Sequence, residues 1–508
     1  MLTALRKFAI FCHRWMGVAF CLLFTWWFVT GIFMMYCDFP SVREADRLRH
    51  AETLDAARIH VTPEQAYKAM GLDIPPDSAK LAMFDGRPAY WFGEVPEQTI
   101  VYADDGTVQD GYPAELNLRT AARWANAPPE QARVEEIREP DQWTVGGQAR
   151  GGGMLVKYSW PDGQQVYVSG ESGQVAQYTT SAMRIGAYLG PIPHWLYFTA
   201  LRKNVPLWSR IVIWSSGVGT LMAISGLVVG VLVYSPSRRY RNEGEPASIP
   251  YAGTKRLHMI LGLFFGIIVC TWAFSGMLSM DPFPVLVPGG GRGEAARITK
   301  ALRGNEVELG PFAAKNPVDA LAATPSILQV KEMELTSFSG QPVYLMGGVL
   351  RDVDELSSWI VPVQGIPSAL FDRERVLGTI RKAVQPMAVA EARTVNRYEA
   401  YYSDRVFNRE GNRPLPVLYV RMSSGRAGEQ GAGYYVDLHT AQIVGRTSPD
   451  GWVNRWLYHG LHSLDFPWLY NHRPAWDIVV LALLLGGTTL CVTSAIIAWK
   501  LLRRKIAA

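Results

Sequence analysis

The chain has 508 residues, 48% hydrophobic and 11% aromatic, with 17 tryptophans and a formal net charge of +5. So small a charge on so long a chain leaves no basic footprint for nucleic acid. The five cysteines form neither a zinc-type CxxC pair nor a CxxCH haem-attachment motif, and they give no disulfide framework to read.

Mean hydropathy near zero averages a few intensely apolar runs with long polar stretches. Arg6, Lys7 and Arg14 precede the first run, at 15–36, and further runs occupy 211–234, 259–280 and 478–499. None contains Asp, Glu, Lys or Arg, and each meets the length of about 20 apolar residues that a hydrocarbon core demands. The first is too long for a signal peptide and lacks a following A-x-A site, so it reads as an uncleaved anchor. Arg238, Arg239, Arg241, Lys255 and Arg256 fill the short loop between the second and third runs, and Lys500, Arg503, Arg504 and Lys505 follow the fourth. The positive-inside rule then puts both termini in the cytoplasm. The long segments, about 38–205 and 281–475, face outward, which in a bacterium means the periplasm.

These outer segments read as α/β lobes. VTPEQAYKAMG (61–71) has a Thr cap, a Pro at the first helical position and helical spacing of its apolar residues. Short strands are expected around PAYWFG and TIVYADDGTV, the latter with an Asp-Gly turn. The second lobe runs similarly from NPVDALAATP to QPVYLMGG, while GGGRGEAAR (289–297) and SSGRAGEQGAG (423–433) read as loop or linker.

Span, lobe, span recurs twice, and residues match across the halves. With His13 set on His258, Gly17 meets Gly262, Trp27 meets Trp272 and Gly31 meets Gly276. With Gln174 set on Gln442, in QVYVSGESGQVAQY and GYYVDLHTAQIVGR, an ungapped register carries His194 onto His462, Phe198 onto Phe466, Pro206 onto Pro474, Trp208 onto Trp476 and Gly219 onto Gly487. His459 falls opposite Pro191 and has no counterpart. Two tandem repeats are therefore expected.

Of nine histidines, His50, His60, His439 and His472 lie in polar segments and read as surface residues. The other five stand at membrane edges: His13 and His258 directly before their spans on the cytoplasmic side, and His194, His459 and His462 on aromatic helices at the outer face. A lone edge histidine is ordinarily interfacial. Four in two matched pairs point instead to shared centres, and two facing imidazoles are what a six-coordinate b-type haem takes. Gly17 and Gly262, at i+4 from their histidines, leave room for a flat ring, and Phe198 and Phe466 hold the same position at the outer pair. Arg14, Lys255 and Arg256 are placed to meet propionates of the inner haem. A zinc site lacks cysteine or carboxylate at ligand spacing, and a proton-coupled transporter would carry ionisable residues in its spans. His459 stays open: it can replace His462, or donate to a propionate or a substrate.

The motifs HRWMG (13–17), RLHMILG (256–262), PHWLYF (193–198) and WLYHGLHSLDF (456–466), with the lobe opening VTPEQAYKAMG, resemble the PepSY-associated transmembrane family over nearly the whole chain. That family includes bacterial inner-membrane siderophore-iron reductases of the FoxB type. The resemblance implies an α-helical membrane protein with four transmembrane helices in two tandem repeats and two periplasmic α/β PepSY-like lobes. The division is 1–37 for the cytoplasmic N-terminus and first span, 38–183 for the first lobe, and 184–237 for an interfacial helix and second span. A cytoplasmic loop follows at 238–256, the third span at 257–281, the second lobe at 282–451, and an interfacial helix, fourth span and cytoplasmic tail at 452–508.

The resemblance further implies haem b, as two bis-His centres, with His13, His258, His194 and His462 as axial ligands and His459 as alternate. The expected activity is a haem reductase of the bacterial inner membrane. Electrons pass from an unidentified cytoplasmic or quinol donor to a periplasmic ferric-siderophore or other Fe3+ chelate. No GxGxxG fingerprint opens a cytoplasmic helix, so the donor is a separate molecule. Trp26, Trp27 and Trp272 lie between the two centres, as packing bulk or as intermediates. A single haem, and a non-enzymatic envelope protein whose lobes bind a partner while the spans only anchor them, are the alternatives.

Overall fold

The computed structural model describes residues 2–94, 98–146, 153–242, 244–283, 291–403, 413–424 and 430–506. These divide into two compact units: 1–39, 182–288 and 450–508 form one, and 40–181 with 289–449 the other.

The first unit is built on four helices long and apolar enough to cross a membrane: α1 (Leu2–Met34), α2 (Val205–Val233), α3 (Gly253–Leu278) and α4 (Ala475–Ile506). This is a membrane protein. All four helices begin before their apolar stretches, so His13 and His258 sit inside α1 and α3 rather than ahead of them. The physical reason is that helicity needs only backbone pairing and tolerates the basic residues that end a hydrophobic window. The four close into a bundle in which α1 packs on α2 and α4, and α3 packs on α2 and α4. Between 22% and 33% of each apolar window is buried inside the molecule, which leaves most of each helix surface for lipid. Glycines set the closest approaches: a Cβ on Gly219 or Gly487 would collide with the Phe24 or Phe28 ring.

The second unit carries the strands. β1 (Ala79–Phe84), β2 (Arg87–Phe92) and β3 (Thr99–Tyr102) come from the first half of the chain. So do β4 (Arg133–Ile137), β5 (Leu155–Ser159), β6 (Gln165–Ser169) and β7 (Val175–Thr179). The second half supplies β8 (Leu328–Phe338), β9 (Gln341–Leu350), β10 (Leu356–Pro362), β11 (Val389–Val395), β12 (Val417–Ser423), β13 (Gln430–Asp437) and β14 (Ile443–Thr447). The two lobes are not independent. β1 pairs antiparallel with β8, Ala79 opposite Leu335, and joins three strands from each half into one six-stranded sheet ordered β10-β9-β8-β1-β2-β3. Two four-stranded sheets, β4 to β7 and β11 to β14, complete the strands of this unit, and a small two-stranded hairpin, Tyr240–Asn242 with Glu245–Ala247, belongs to the first unit.

Local chemistry explains the elements. β1 and β2 turn through Asp85 and Gly86, both at positive φ, and β8 and β9 through Ser339 and Gly340 likewise, the backbone a two-residue hairpin turn requires. Thr62 caps the helix Pro63–Lys68 with Gln65 closing the capping box, and Asn316 caps Pro317–Ala322. Leu81, Tyr90, Met333 and Tyr344 are wholly buried at the centre of a core drawn from both halves.

Two stretches read as loop differ. Arg292–Arg303 is an amphipathic helix that buries Ile298 and Leu302 one turn apart. Glycines before it masked that spacing. Residues 430–433 open β13, where Gly433 is needed because a Cβ would come within 2.6 Å of the Tyr419 hydroxyl. Residues 289–290 and 425–429 of the same stretches lie outside the described residues.

Candidate functional site: two imidazole pairs

The bundle brings the histidines together in pairs. His13 and His258 have ring centres 6.2 Å apart and planes 34° apart. His194 and His462 have ring centres 6.1 Å apart and planes 67° apart. A first-row metal bonds imidazole nitrogen at about 2.0 Å, and with about 1.1 Å more to each ring centre, two imidazoles sharing one ion in line stand about 6.2 Å apart. Both pairs match that figure. Among the described residues, no group of three or more His, Cys, Asp or Glu can hold a metal ion. Two protein nitrogens do not complete a zinc site, but they do complete an iron whose other four donors belong to a macrocycle.

Each ring is tied through Nδ1 to a span of its own half. His13 Nδ1 lies 3.1 Å from the Met222 carbonyl. His194 Nδ1 lies 3.2 Å from the Trp27 carbonyl and 3.2 Å from the Thr30 hydroxyl. His258 Nδ1 is 3.0 Å from Thr493 Oγ1, and His462 Nδ1 is 3.0 Å from Ser275 Oγ. These last two rings also hydrogen-bond the Leu490 and Trp272 backbone. A carbonyl only accepts. The hydroxyls already donate to helix carbonyls: Thr30 to Trp26 and Trp27, Ser275 to Trp272, Thr493 to Leu490. Nδ1 therefore donates in all four rings, and Nε2 keeps the lone pair that a metal takes. Burial holds His194 and His462 far below the usual imidazole value, at about 3 and about 4, so both rings are neutral.

Thr30, Ser275 and Thr493 did not figure among the residues singled out from sequence, yet a sequence signal exists. Every span carries one five-residue cradle: WFVTG (27–31), MAISG (222–226), WAFSG (272–276) and LCVTS (490–494). The first residue offers its backbone, the fifth is small enough to let the ring approach, and in three of the four the fourth residue also offers its hydroxyl, Ser225 being the exception. A Cβ on Gly226 would come 2.5 Å from His13 Cε1, against 3.7 Å for Gly31 to His194 and 3.5 Å for Gly276 to His462. Cradling runs within a half and pairing runs between halves. In the first half α1 sends His13 to α2 and receives His194; in the second α3 sends His258 to α4 and receives His462.

The His194 and His462 turns differ from the aromatic helices expected. Helices Pro191–His194 and Leu461–Ser463 end at once, and Leu196 and Leu464, two residues after each histidine, are left-handed at φ 53° and 49°. A bulky residue there costs about 1–2 kcal/mol, a strain that persists where the surroundings demand it. Phe198 and Phe466 consequently do not lie one helical turn beyond their histidines. Phe198 is 40% exposed, and Phe466 stacks between Trp456 and Trp468.

His459 lies on the π-helical stretch Val453–Gly460, with its ring 4.3 Å from Tyr458, while His462 is the ring that faces His194. Buried Arg455 closes this stretch by donating to the Asp465 carbonyl at 2.6 Å, a clamp whose aligned positions, Ala187 and Tyr197, carry no charge. Elsewhere His50 stacks on Trp124, His439 binds Asp437, and His472 donates to the Trp468 carbonyl. Gly17 and Gly262 are uncrowded, a Cβ on each meeting nothing nearer than 3.8 Å. Arg14, Lys255 and Arg256 are exposed, with no ion-pair partner among the described residues. Trp27 packs on Phe24 and Trp272 on Phe28 in the layer between the two pairs, whereas Trp26 is 50% exposed and faces outward.

One comparison bears on this arrangement. The family described as PepSY-associated TM region matches residues 11–461. The chain belongs to this family. The matched region contains all five membrane-edge histidines except His462, which falls one residue beyond it. No curated protein matches the chain. Membership in the PepSY-associated TM family accounts for a membrane bundle and leaves the chemistry to the residues themselves.

Proposed function

We propose that the protein is a membrane reductase that holds two b-type haems, one between His13 and His258 and one between His194 and His462, and delivers electrons to a ferric chelate outside the cell membrane. The observation that carries this reading is the double coincidence of ring spacing and tautomer. Two pairs stand at the separation one shared iron requires, and all four rings engage Nδ1 elsewhere. When bound, haem supplies one-electron redox chemistry whose potential its axial ligands and their hydrogen bonds help set.

The chain's residues do the rest. Nε2 of each histidine offers a lone pair, the cradles fix ring direction, and the apolar bundle excludes water from both pairs. From His13 to Thr30, and from His258 to Ser275, is seventeen residues, about 25 Å of helical rise. The pairs thus belong to opposite leaflets. The basic clusters support an orientation with the His13 pair on the cytoplasmic side of a bacterial inner membrane, the His194 pair on the periplasmic side, and the large lobes in the periplasm. The outer substrate is Fe(III) held by hard oxygen donors, as in a siderophore. Gaining one electron makes it Fe(II), which such donors hold less tightly, and the iron is released for import. The electron comes from a cytoplasmic or quinol donor.

The test is the optical spectrum of detergent-purified full-length protein, oxidised and dithionite-reduced, with a pyridine haemochrome assay. About two haems per chain, with reoxidation by a ferric hydroxamate, supports the reading. A colourless protein from haem-replete cells overturns it and leaves a membrane-anchored binding protein of the envelope.

A further inference from the structure

We infer that the hydroxyls of Thr30, Ser275 and Thr493 are positioning residues that set the donor strength of three of the four axial imidazoles, leaving His13 the most weakly supported ring. The inference rests on the two-haem reading and goes beyond it, because it assigns a task to residues that touch no cofactor.

A serine or threonine in a membrane helix commonly bonds back to a carbonyl three or four residues earlier, and that alone implies no function. Ser225 does this and nothing more: it donates to the Met222 carbonyl at 2.7 Å. Among the described residues its neighbour His13 bonds only that same carbonyl. Thr30, Ser275 and Thr493 occupy the same fourth place in their cradles, and their oxygens also stand 3.0–3.2 Å from an imidazole Nδ1. Each hydroxyl hydrogen is already committed to the helix. The backbone carbonyl beside each of these rings only accepts, so Nδ1 carries the proton and the hydroxyl oxygen accepts from it.

An acceptor on Nδ1–H does two things. It holds the ring against rotation about its Cβ–Cγ bond, and it pushes electron density toward Nε2, making the ligand more basic. A more basic axial ligand favours the ferric state and lowers the reduction potential. His194, His258 and His462 each have a hydroxyl together with a backbone partner. His13 has a carbonyl that it shares with Ser225. The four cradles thus contain their own control, Ser225.

The experiment is a redox titration of the full-length protein, following the two haem components optically and measuring haem per chain for every variant. Thr30→Val and Ser275→Ala should each shift one component, that of the His194 pair, to higher potential. Thr493→Val should shift the other component, and Ser225→Ala should shift neither. Thr30→Ser and Ser275→Thr should restore the wild-type values, which a role confined to packing would not do. If Thr30→Val loses one haem outright and Thr30→Ser regains it, the positioning role is shown in its stronger form. If both haems remain and no component moves, or if Ser225→Ala moves a component as far as Thr493→Val does, the inference is overturned. If the wild-type protein holds no haem, it is the two-haem reading that has failed.

Discussion

The two imidazole pairs reach one spacing by different routes. His13 and His258 project from the regular backbone of long spans, and their planes lie 34° apart. His194 and His462 ride on short turns cut off by left-handed leucines, and their planes lie 67° apart. On a span, the helix fixes where the ring starts, and close packing can finish the task, as Gly226 does for His13. On a short turn the backbone fixes less. Both of these rings have a backbone partner and a hydroxyl, as His258 has on its span, and His13 is the ring without a hydroxyl. The difference teaches that a buried imidazole can be aimed by sterics or by hydrogen bonds, and that each leaves its own vulnerability.

The sharpest break separates the ligands from their neighbour. His462→Ala should remove one haem of the two, and His13→Ala the other, as read by pyridine haemochrome. His459→Ala should leave both, because His462 is the ring that faces His194. Retention of both haems in His462→Ala with loss of one in His459→Ala would reverse that assignment.

Sterics distinguish the pairs next. Gly226→Ala drives a methyl to 2.5 Å from His13 Cε1, so the ring must leave its place and the His13 haem should fall toward zero occupancy. Gly276→Ala meets His462 at an ordinary 3.5 Å, and haem content should stay near wild type. Equal haem content in the two variants would show that glycine packing does not aim the inner ring.

A spectroscopic difference follows from ring orientation alone. Axial imidazole planes direct how the iron d orbitals split, so planes 34° and 67° apart should give two distinct low-spin ferric signals in electron paramagnetic resonance. One superimposed signal at two haems per chain would mean that the two sites relax to a common geometry.

How much of this was legible beforehand differs by layer. The four spans were legible because lipid demands an unbroken apolar run, but their ends were not. A hydropathy window stops at Arg14 or His258 while the helix runs on from Leu2 or Gly253. The pairing of β1 with β8 could not be read, since alternation shows which face is buried and not which distant strand lies alongside. The four histidines stood out as lone imidazoles in apolar surroundings. Their hydroxyl partners did not, because Ser, Thr and Gly are ordinary packing residues between membrane helices. A hydroxyl followed by a small residue recurs in every span, but Ser216–Gly217 and Ser494–Ala495 share it, so that pattern alone does not separate Thr30 and Ser275 from the background.

The smallest effect concerns the exposed cations beside the inner pair. Arg14, Lys255 and Arg256 are exposed, and charges so placed interact weakly and are screened over about 8 Å at physiological ionic strength. If they meet propionates, neutralising Lys255 with Gln removes a nearby positive charge that favours the reduced state. The inner component should then move to lower potential, opposite in sign to Thr493→Val and smaller in size. Raising the salt concentration should erase the Lys255→Gln shift and leave the Thr493→Val shift intact, because the Thr493 hydroxyl acts through a direct 3.0 Å hydrogen bond inside the bundle. A Lys255→Gln shift that survives high salt would place that ammonium in contact with the cofactor rather than in its ion atmosphere.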